Sequence, residues 1–379
     1  MPTRVAVPKE TVAGERRVAL TPEVAEKFRK AGVEVVMQRD AGASSFFGDA
    51  EYGAVEVADS AAALFGQADV VLKVQPPTEE EIAQLREGAI VVGFMQPHRF
   101  PERARLMAER NITALAMELV PRISRAQSMD ALSSQANIAG YKGALLAANL
   151  AAQFFPMLTT AAGTIRPAKV LVLGAGVAGL QAIATARRLG AIVHAYDVRK
   201  ATKEQVESLG GRFLELAVDA ESQGGYAREL TDEEKQQERD MLTRQIGEST
   251  AVISTAAIPG RPSPKLISKE MVEAMRAGAV VVDLAAEGGG NCVLSQPGET
   301  ITHDNGVIIH APLNVPSMLP LHASEMYARN LFNLIRPMIA EGGELAPDWN
   351  DEVLAGSSLT RDGRIQHDPT RKLVQGESS

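Results

Sequence analysis

Short apolar runs alternate with stretches of helical spacing along most of the chain. Val5–Val7, Val33–Gln38, Val70–Val74, Ala89–Phe94 and Ile112–Ala116 have the length and β-branched content of buried strands. Thr21–Ala31, Glu79–Arg86 and Pro101–Arg110 have helical spacing. The first of these carries its own start signal: Thr21 at the N-cap, Pro22 at the first helical position and Glu23 in the first turn. Strand and helix alternating in this way predict a parallel, doubly wound sheet.

The pattern changes at Met129–Phe155, a long helical stretch rich in small residues that is expected to stop at Pro156. No residue from Gly143 to Ile165 is charged, a length that can cross a bilayer. Asn149, Gln153, Pro156, Thr159, Thr160, Thr164 and many alanines leave it too weakly apolar for a lipid-facing span, so it reads as a buried helix followed by a loop. A second strand–helix series follows, with strand candidates at Val170–Leu173, Ile192–Tyr196, Val252–Ser254, Ala279–Asp283 and Val307–His310. Ser317–Met338 has helical spacing and can return to the first series. The expected architecture is α/β: residues 1–130 with about 317–379 as one doubly wound domain, 131–316 as a second, and a ligand cleft between them. The polar segment 217–247 is expected to be a mobile loop, with a surface helix as the plainer alternative. The tail from about Asp368 to Ser379 is expected to fray.

Composition narrows the function classes. The chain has 379 residues, of which 45% are hydrophobic and 23% charged, as in a globular protein of two domains. A net charge of −8 argues against nucleic acid or an anionic lipid surface as a direct partner. The single cysteine, Cys292, allows no intrachain disulfide, and no Cys/His spacing of metal-ligand type occurs, so no metal is expected. The N-terminus has no signal-peptide stretch, and a reducing cytosolic compartment fits.

One motif carries chemistry. The strand Val170–Leu173 runs directly into Gly174-Ala175-Gly176-Val177-Ala178-Gly179, and Leu180–Leu189 has helical spacing. In a strand–turn–helix of this kind Gly174 permits the tight turn, Gly176 lets a pyrophosphate approach the backbone, and Gly179 lets the helix pack against the strand. Asp197 ends the next strand, 18 residues after Gly179, close to the place of the acid that takes the ribose hydroxyls. This is a Rossmann-like dinucleotide site. A carboxylate there favours NAD over NADP, although the neighbouring Arg199 can accommodate a 2′-phosphate.

A second constellation is Arg122-Ile123-Ser124-Arg125-Ala126-Gln127-Ser128-Met129-Asp130, just before the long helix. Arg122 and Asp130 can pair and fold the loop over, leaving the Gln127 amide for a polar ligand. Alternatively the segment is a capping loop, with Ser128 or Asp130 at the N-cap. Among His98, His194, His303, His310, His322 and His367 none sits in a catalytic motif, and Cys292 has no evident base. Hydride transfer to an alcohol or amine needs an acid/base group, whereas transfer between two nicotinamides needs only placement of the rings.

These stretches resemble the NAD(H)-binding component of proton-translocating nicotinamide nucleotide transhydrogenase, which some bacteria encode as a separate leading portion of the alpha subunit. The matching segments are 14–22, 121–137, 174–197, 201–211, 224–226 and 283–291, spread over the chain from near residue 8 to about 365. The resemblance implies that NADH is bound here and passes hydride directly to NADP(H) sites on a partner subunit. It assigns Arg122, Gln127 and Asp130 to positioning the nicotinamide and ribose, with Ser124 and Ser133 beside them. It further assigns Val177, Asp197, Val198 and Arg199 to the adenosine side, Gly225 and Tyr226 to a closing loop and Thr255 to a wall of the site. It implies a homodimer, located in the cytoplasm and peripheral on the inner face of the cell membrane. A membrane-embedded second alpha component and a beta subunit would complete the enzyme and move the proton, with no membrane insertion by this chain.

Two alternatives come from other function classes. Alanine dehydrogenase is related, and Arg17 and Lys73 match positions that hold pyruvate there. In Gly93-Phe94-Met95-Gln96-Pro97-His98, however, the histidine is out of register with that enzyme's catalytic one, and Glu287 stands where its acid would be. The other alternative is a subunit that binds NAD only as a sensor.

Overall fold

The structure is a computed structural model that describes residues 2–215, 231–257 and 262–376. Gly225 and Tyr226, assigned to the closing loop, lie outside the described residues. The chain divides into two compact units: Met1–Gln135 with Pro316–Ser379, and Ala136–Val315.

The first unit is built on an eight-stranded sheet. Its order is Glu56–Ala58, Glu34–Gln38, Arg4–Val7, Val70–Leu72, Ile90–Gly93, Thr113–Ala116, Ser358–Arg361 and Arg364–Ile365. The first six run parallel and the last two are antiparallel additions from the C-terminal segment. In chain order the parallel strands lie 3-2-1-4-5-6, so the direction of winding reverses between Arg4–Val7 and Val70–Leu72. Both faces are covered, which explains the unbroken apolar runs. Alternation along a strand sends Val5 and Val7 into one core and Ala6 into the other.

The second unit repeats this logic. Its seven strands lie in the order Arg212–Phe213, Ile192–Tyr196, Lys169–Leu173, Ala251–Ser254, Val280–Asp283, Ile308–His310 and Thr300–Thr302. Only the last pair is antiparallel. Val170 and Val172 face one core, Leu171 and Leu173 the other. The winding reverses between Lys169–Leu173 and Ala251–Ser254, and the carboxyl ends of those strands form the crevice where such sheets bind ligands.

Several local expectations need correction. The long helix is Ala131–Leu150, ending short of Phe155 and well before Pro156. After it come not a plain loop but two strands, Leu158–Thr160 and Gly163–Ile165, paired only with each other. The expected loop 217–247 is helical over Asp232–Gly247, started by a reciprocal capping box between Thr231 and Glu234. The tail is not frayed at Asp368–Val374: Pro369 in the first turn helps set a helix there. Thr21 does occupy the N-cap of helix Pro22–Lys30, yet its buried hydroxyl bonds to nothing. Among the described residues no helix is long and apolar enough to cross a membrane.

Candidate functional site

The glycine turn sits at the carboxyl end of Lys169–Leu173, and the helix it opens is Val177–Arg188 with Gly176 at the N-cap. Gly174 has φ +93°, a left-handed conformation that a side chain resists, and its N–H donates to the Tyr196 carbonyl at 2.8 Å. A Cβ on Gly179 would lie 1.8 Å from the Gly174 carbonyl oxygen, so only hydrogen fits where helix meets strand. Gly140 repeats the device on the long helix: a Cβ there would stand 2.0 Å from the Ala178 carbonyl oxygen. Nothing lies within 4 Å of the Cβ position of Gly176, which is the open side of the turn. The first-turn N–H groups of Val177–Arg188 have no carbonyl within the helix and carry the positive end of its dipole, a cradle suited to an anion such as a pyrophosphate.

Thr255, just past Ala251–Ser254, supports the turn from the neighbouring strand. Its hydroxyl donates to the carbonyls of Leu173 and Gly174 at 3.2 and 3.1 Å. Asn291 braces the same side: its amide donates to the carbonyls of Ala256 and Pro264 and accepts from the Ala256 N–H. Beneath it the fully buried Asp283 accepts from Ser254, Ala285, Cys292 and Ser295.

Asp197 is 8% exposed at the end of the strand adjoining the turn. Its Oδ2 accepts the Ala175 N–H at 2.7 Å, which ties the carboxylate to the turn itself. Its Oδ1 accepts the Arg199 N–H at 2.9 Å, and the Arg199 guanidinium forks across both oxygens through Nε and Nη2, each at 2.9 Å. Burial raises the carboxyl pKa, but the Arg199 fork and the N–H groups of Ala175 and Arg199 outweigh it and hold the group below the usual aspartate range. Val177 and Val198 are exposed beside it. Gly174, Gly176, Val177, Gly179, Asp197, Val198, Arg199 and Thr255 therefore share one end of one sheet.

The other group of candidates lies in the first unit. Ser124–Met129 forms a 3-10 turn and Ala131–Leu150 follows at once. The expected Arg122–Asp130 pair does not form. Asp130 instead caps the helix, accepting the Ser133 N–H at 2.9 Å and the Ser133 hydroxyl at 2.6 Å, so its two oxygens serve the helix start. The capping alternative is what the structure shows for Asp130. Arg122, Ser124 and Gln127 are exposed on this turn.

What holds the turn is not visible in the sequence, because its partners are far along the chain. Arg125 forks onto Asp351 at 2.8 and 2.9 Å and reaches Glu352 at 3.3 Å. The Ser128 carbonyl accepts from both Asn330 and Asn333, at 2.8 and 3.0 Å. Ala126 is buried beneath. The turn is thus fastened at its middle and its end, with Arg122 and Gln127 left on the outside.

Arg17 and Lys73 lie at the first unit's own winding reversal, in a buried ionic cluster. Glu15 takes the Arg17 guanidinium through Nε and Nη2 at 2.8 and 2.6 Å, and the Gln135 amide oxygen accepts from Nη1. Lys73 donates to Glu81 at 2.8 Å and stands 3.6 Å from Glu10. Gln96 donates to Gln75, which donates to Glu15. His98 is exposed and outside this network. Burial pushes the Glu15 pKa up, but the Arg17 guanidinium and the Gln75 amide pull it down to about 2. Glu10 goes the other way: burial lifts it above the ordinary range against the pull of Lys73 and the Val74 N–H.

Comparison with known proteins agrees with this layout. The family models for the alanine dehydrogenase/PNT N-terminal and C-terminal domains match residues 6–139 and 143–368. In Rhodospirillum rubrum the alpha subunit of NAD(P) transhydrogenase is divided, and its first portion is 46% identical over 96% of this chain and 98% of its own length. The NAD(P) transhydrogenase subunit alpha of Haemophilus influenzae is 44% identical over 95% of this chain and 71% of its own. The crystal structure of transhydrogenase from Sinorhizobium meliloti superposes with a TM-score of 0.88 at 42% identity, covering 96% of this chain and 99% of that one. An L-alanine dehydrogenase structure shares the fold, with a TM-score of 0.81 at 23% identity over 99% and 100% of the two chains. The chain belongs to the alanine dehydrogenase/PNT family and, within it, to the NAD(P) transhydrogenase alpha subunits.

Proposed function

We propose that the chain is the NAD(H)-binding component of a proton-translocating transhydrogenase, holding NADH for direct hydride transfer to NADP⁺ on a partner subunit. The observation that carries this is the cradle of the second unit: the Gly174–Gly179 close approach, the helix start at Gly176 and the Asp197 carboxylate bonded to the turn. When bound, the nicotinamide supplies the hydride chemistry, and no proton need be added or removed by the protein. The residues of this chain bind and orient. First-turn N–H groups meet the pyrophosphate, Asp197 accepts from the ribose diol, and Arg122 and Gln127 present a guanidinium and an amide for the nicotinamide end. Asp130 acts through the helix start it caps.

The first unit's reversal point argues for the transhydrogenase reading over an amino-acid dehydrogenase. Arg17 and Lys73 already carry carboxylate partners there, and the side chain reaching in from the end of strand Ile90–Gly93 is the neutral amide of Gln96, not the imidazole of His98. A homodimer belongs to the same reading. The isolated hairpin Leu158–Ile165 exposes Met157 at 63% and Ile165 at 45%, and two strands alone are marginally stable in water. A second copy would cover it. The membrane-embedded second alpha component, the beta subunit and a peripheral place on the inner membrane face complete the proposal.

The test is reconstitution. The purified chain is mixed with an NADP(H)-binding partner domain, and transfer between NADH and an oxidised NADP⁺ analogue is followed spectroscopically. Turnover supports the proposal; none across a wide range of partner ratios sinks it. Oxidation of NADH by pyruvate and ammonia without a partner would establish the dehydrogenase instead. Gln127→Asn should slow transfer more than it weakens NADH binding, since a displacement of about 1 Å can cost on the order of 100-fold in rate.

A further inference from the structure

Every acceptor position of Asp197 is filled by this chain's own donors. The Ala175 and Arg199 backbone N–H groups take one position on each oxygen, and the Arg199 guanidinium takes the other on each. A ribose diol needs two acceptor positions on such a carboxylate. The two backbone donors are built into the turn and the strand end and cannot leave without unmaking them. The guanidinium can: its side chain is 62% exposed, and Asp197 is the only carboxylate with which it forms an ion pair among the described residues.

We propose that Arg199 is a latch that imitates the ribose diol, and that NADH binds by displacing its guanidinium from Asp197. This rests on the assignment of the nucleotide to the second unit. The latch keeps the buried carboxylate paired while the site is open to water, and it lowers the affinity for every adenosine-containing ligand by the free energy of the fork it breaks. It also acts on specificity. Once displaced, the guanidinium lies beside the ribose edge, where a 2′-phosphate would meet it, so Arg199 narrows the preference for NADH over NADPH that Asp197 creates.

The experiment measures binding of NADH, ADP-ribose, NMNH and NADPH to the full chain and to Arg199→Ala and Arg199→Gln by calorimetry, with circular dichroism confirming folding. Both variants should bind NADH and ADP-ribose about three- to tenfold more tightly than the unaltered chain, the range of an exposed forked ion pair. NMNH, which lacks the adenosine half, should be unchanged, and the NADH-to-NADPH preference should widen. Arg199→Lys, which keeps the charge but not the fork, should fall between. Weaker or unchanged binding of NADH and ADP-ribose by both substitutions would overturn the latch while leaving the nucleotide assignment standing. Failure of the unaltered chain to bind NADH at all would overturn both.

Discussion

The two units wind alike and use their reversal points differently. In the second, strand Lys169–Leu173 leaves the sheet through glycines, and the crevice beside Ala251–Ser254 is open backbone with a helix N-terminus facing it. In the first, strand Arg4–Val7 leaves through Pro8, Lys9 and Glu10, and the crevice beside Val70–Leu72 is filled with side chains. Glu10, Glu15, Arg17, Lys73 and Glu81 are buried there and answer one another's charge. Topology provides the crevice, but it becomes a nucleotide cradle only where the chain lacks side chains at the turn. Where charged side chains remain, the crevice is internally neutralised.

The most severe change gives the cradle a side chain. Gly179→Ala places a methyl 1.8 Å from the Gly174 carbonyl oxygen, which neither backbone can yield without parting helix from strand. The expected loss is about 4 kcal/mol or more of stability, with NADH binding abolished in whatever folds. Thermal denaturation and NADH fluorescence titration read the two effects. A variant with unaltered melting temperature and affinity would mean that the close approach is not what makes the cradle.

The reciprocal change is made in the filled crevice. Lys73→Met removes the cation between Glu10 and Glu81 and leaves buried carboxylates unanswered. Losing one partner of a buried pair should cost about 3–5 kcal/mol, while NADH affinity of the folded protein should stay the same. A change in NADH affinity with little loss of stability would reverse the roles assigned to the two crevices.

How much of this difference can be read from the chain depends on the range of each interaction. The second unit's cradle is legible because its signals are local: four apolar residues, three glycines at fixed spacing, and Asp197 closing the next strand. The parallel strands are legible to within a residue or two for the same reason. The first unit's crevice is not. Arg17 and Lys73 stand out only through resemblance, and Glu10 bonds the Val74 N–H across 64 positions. The clamp on the 122–130 turn joins Ser128 to Asn330 and Asn333, and Arg125 to Asp351, separations no periodicity reports. Asp130 shows the opposite case. The sequence permits either a pairing with Arg122 or a local cap, and the cap, three residues away, prevails because the helix start has N–H groups to satisfy.

Acid should also separate the crevices. Glu15 has its pKa lowered from 4.5 to about 2 in the folded protein, so its contribution is complete above its unfolded value and is lost as pH falls through the folded one. That window, from 4.5 down to about 2, carries on the order of 3 kcal/mol. Glu10, whose value is raised, contributes with the opposite sign, most at low pH and less as pH rises through its folded value. Glu15→Gln should therefore flatten the acid limb of the stability curve measured by urea denaturation, and Glu10→Gln should steepen it. Identical slopes in all three proteins would mean that the cluster does not hold these protonation states.

The smallest expected effect isolates the one charge the cradle does use. Asp197→Asn keeps the size of the side chain and removes its charge. An amide oxygen can still accept the Ala175 N–H, which the carboxylate takes at 2.7 Å, so the turn should survive and the melting temperature should fall little. What is lost is the charge-assisted acceptance of the ribose diol, worth about 1–3 kcal/mol, or roughly 5- to 150-fold in NADH affinity. The loss should be seen with ADP-ribose and not with NMNH. Because the amide no longer attracts Arg199, adding Arg199→Ala to Asp197→Asn should change NADH affinity less than it does in the unaltered chain. The double-variant cycle thus measures the coupling of the two residues directly. Equal effects of Arg199→Ala in both backgrounds would show that the fork does not compete with the ribose, and the second unit's acid would then serve the turn alone.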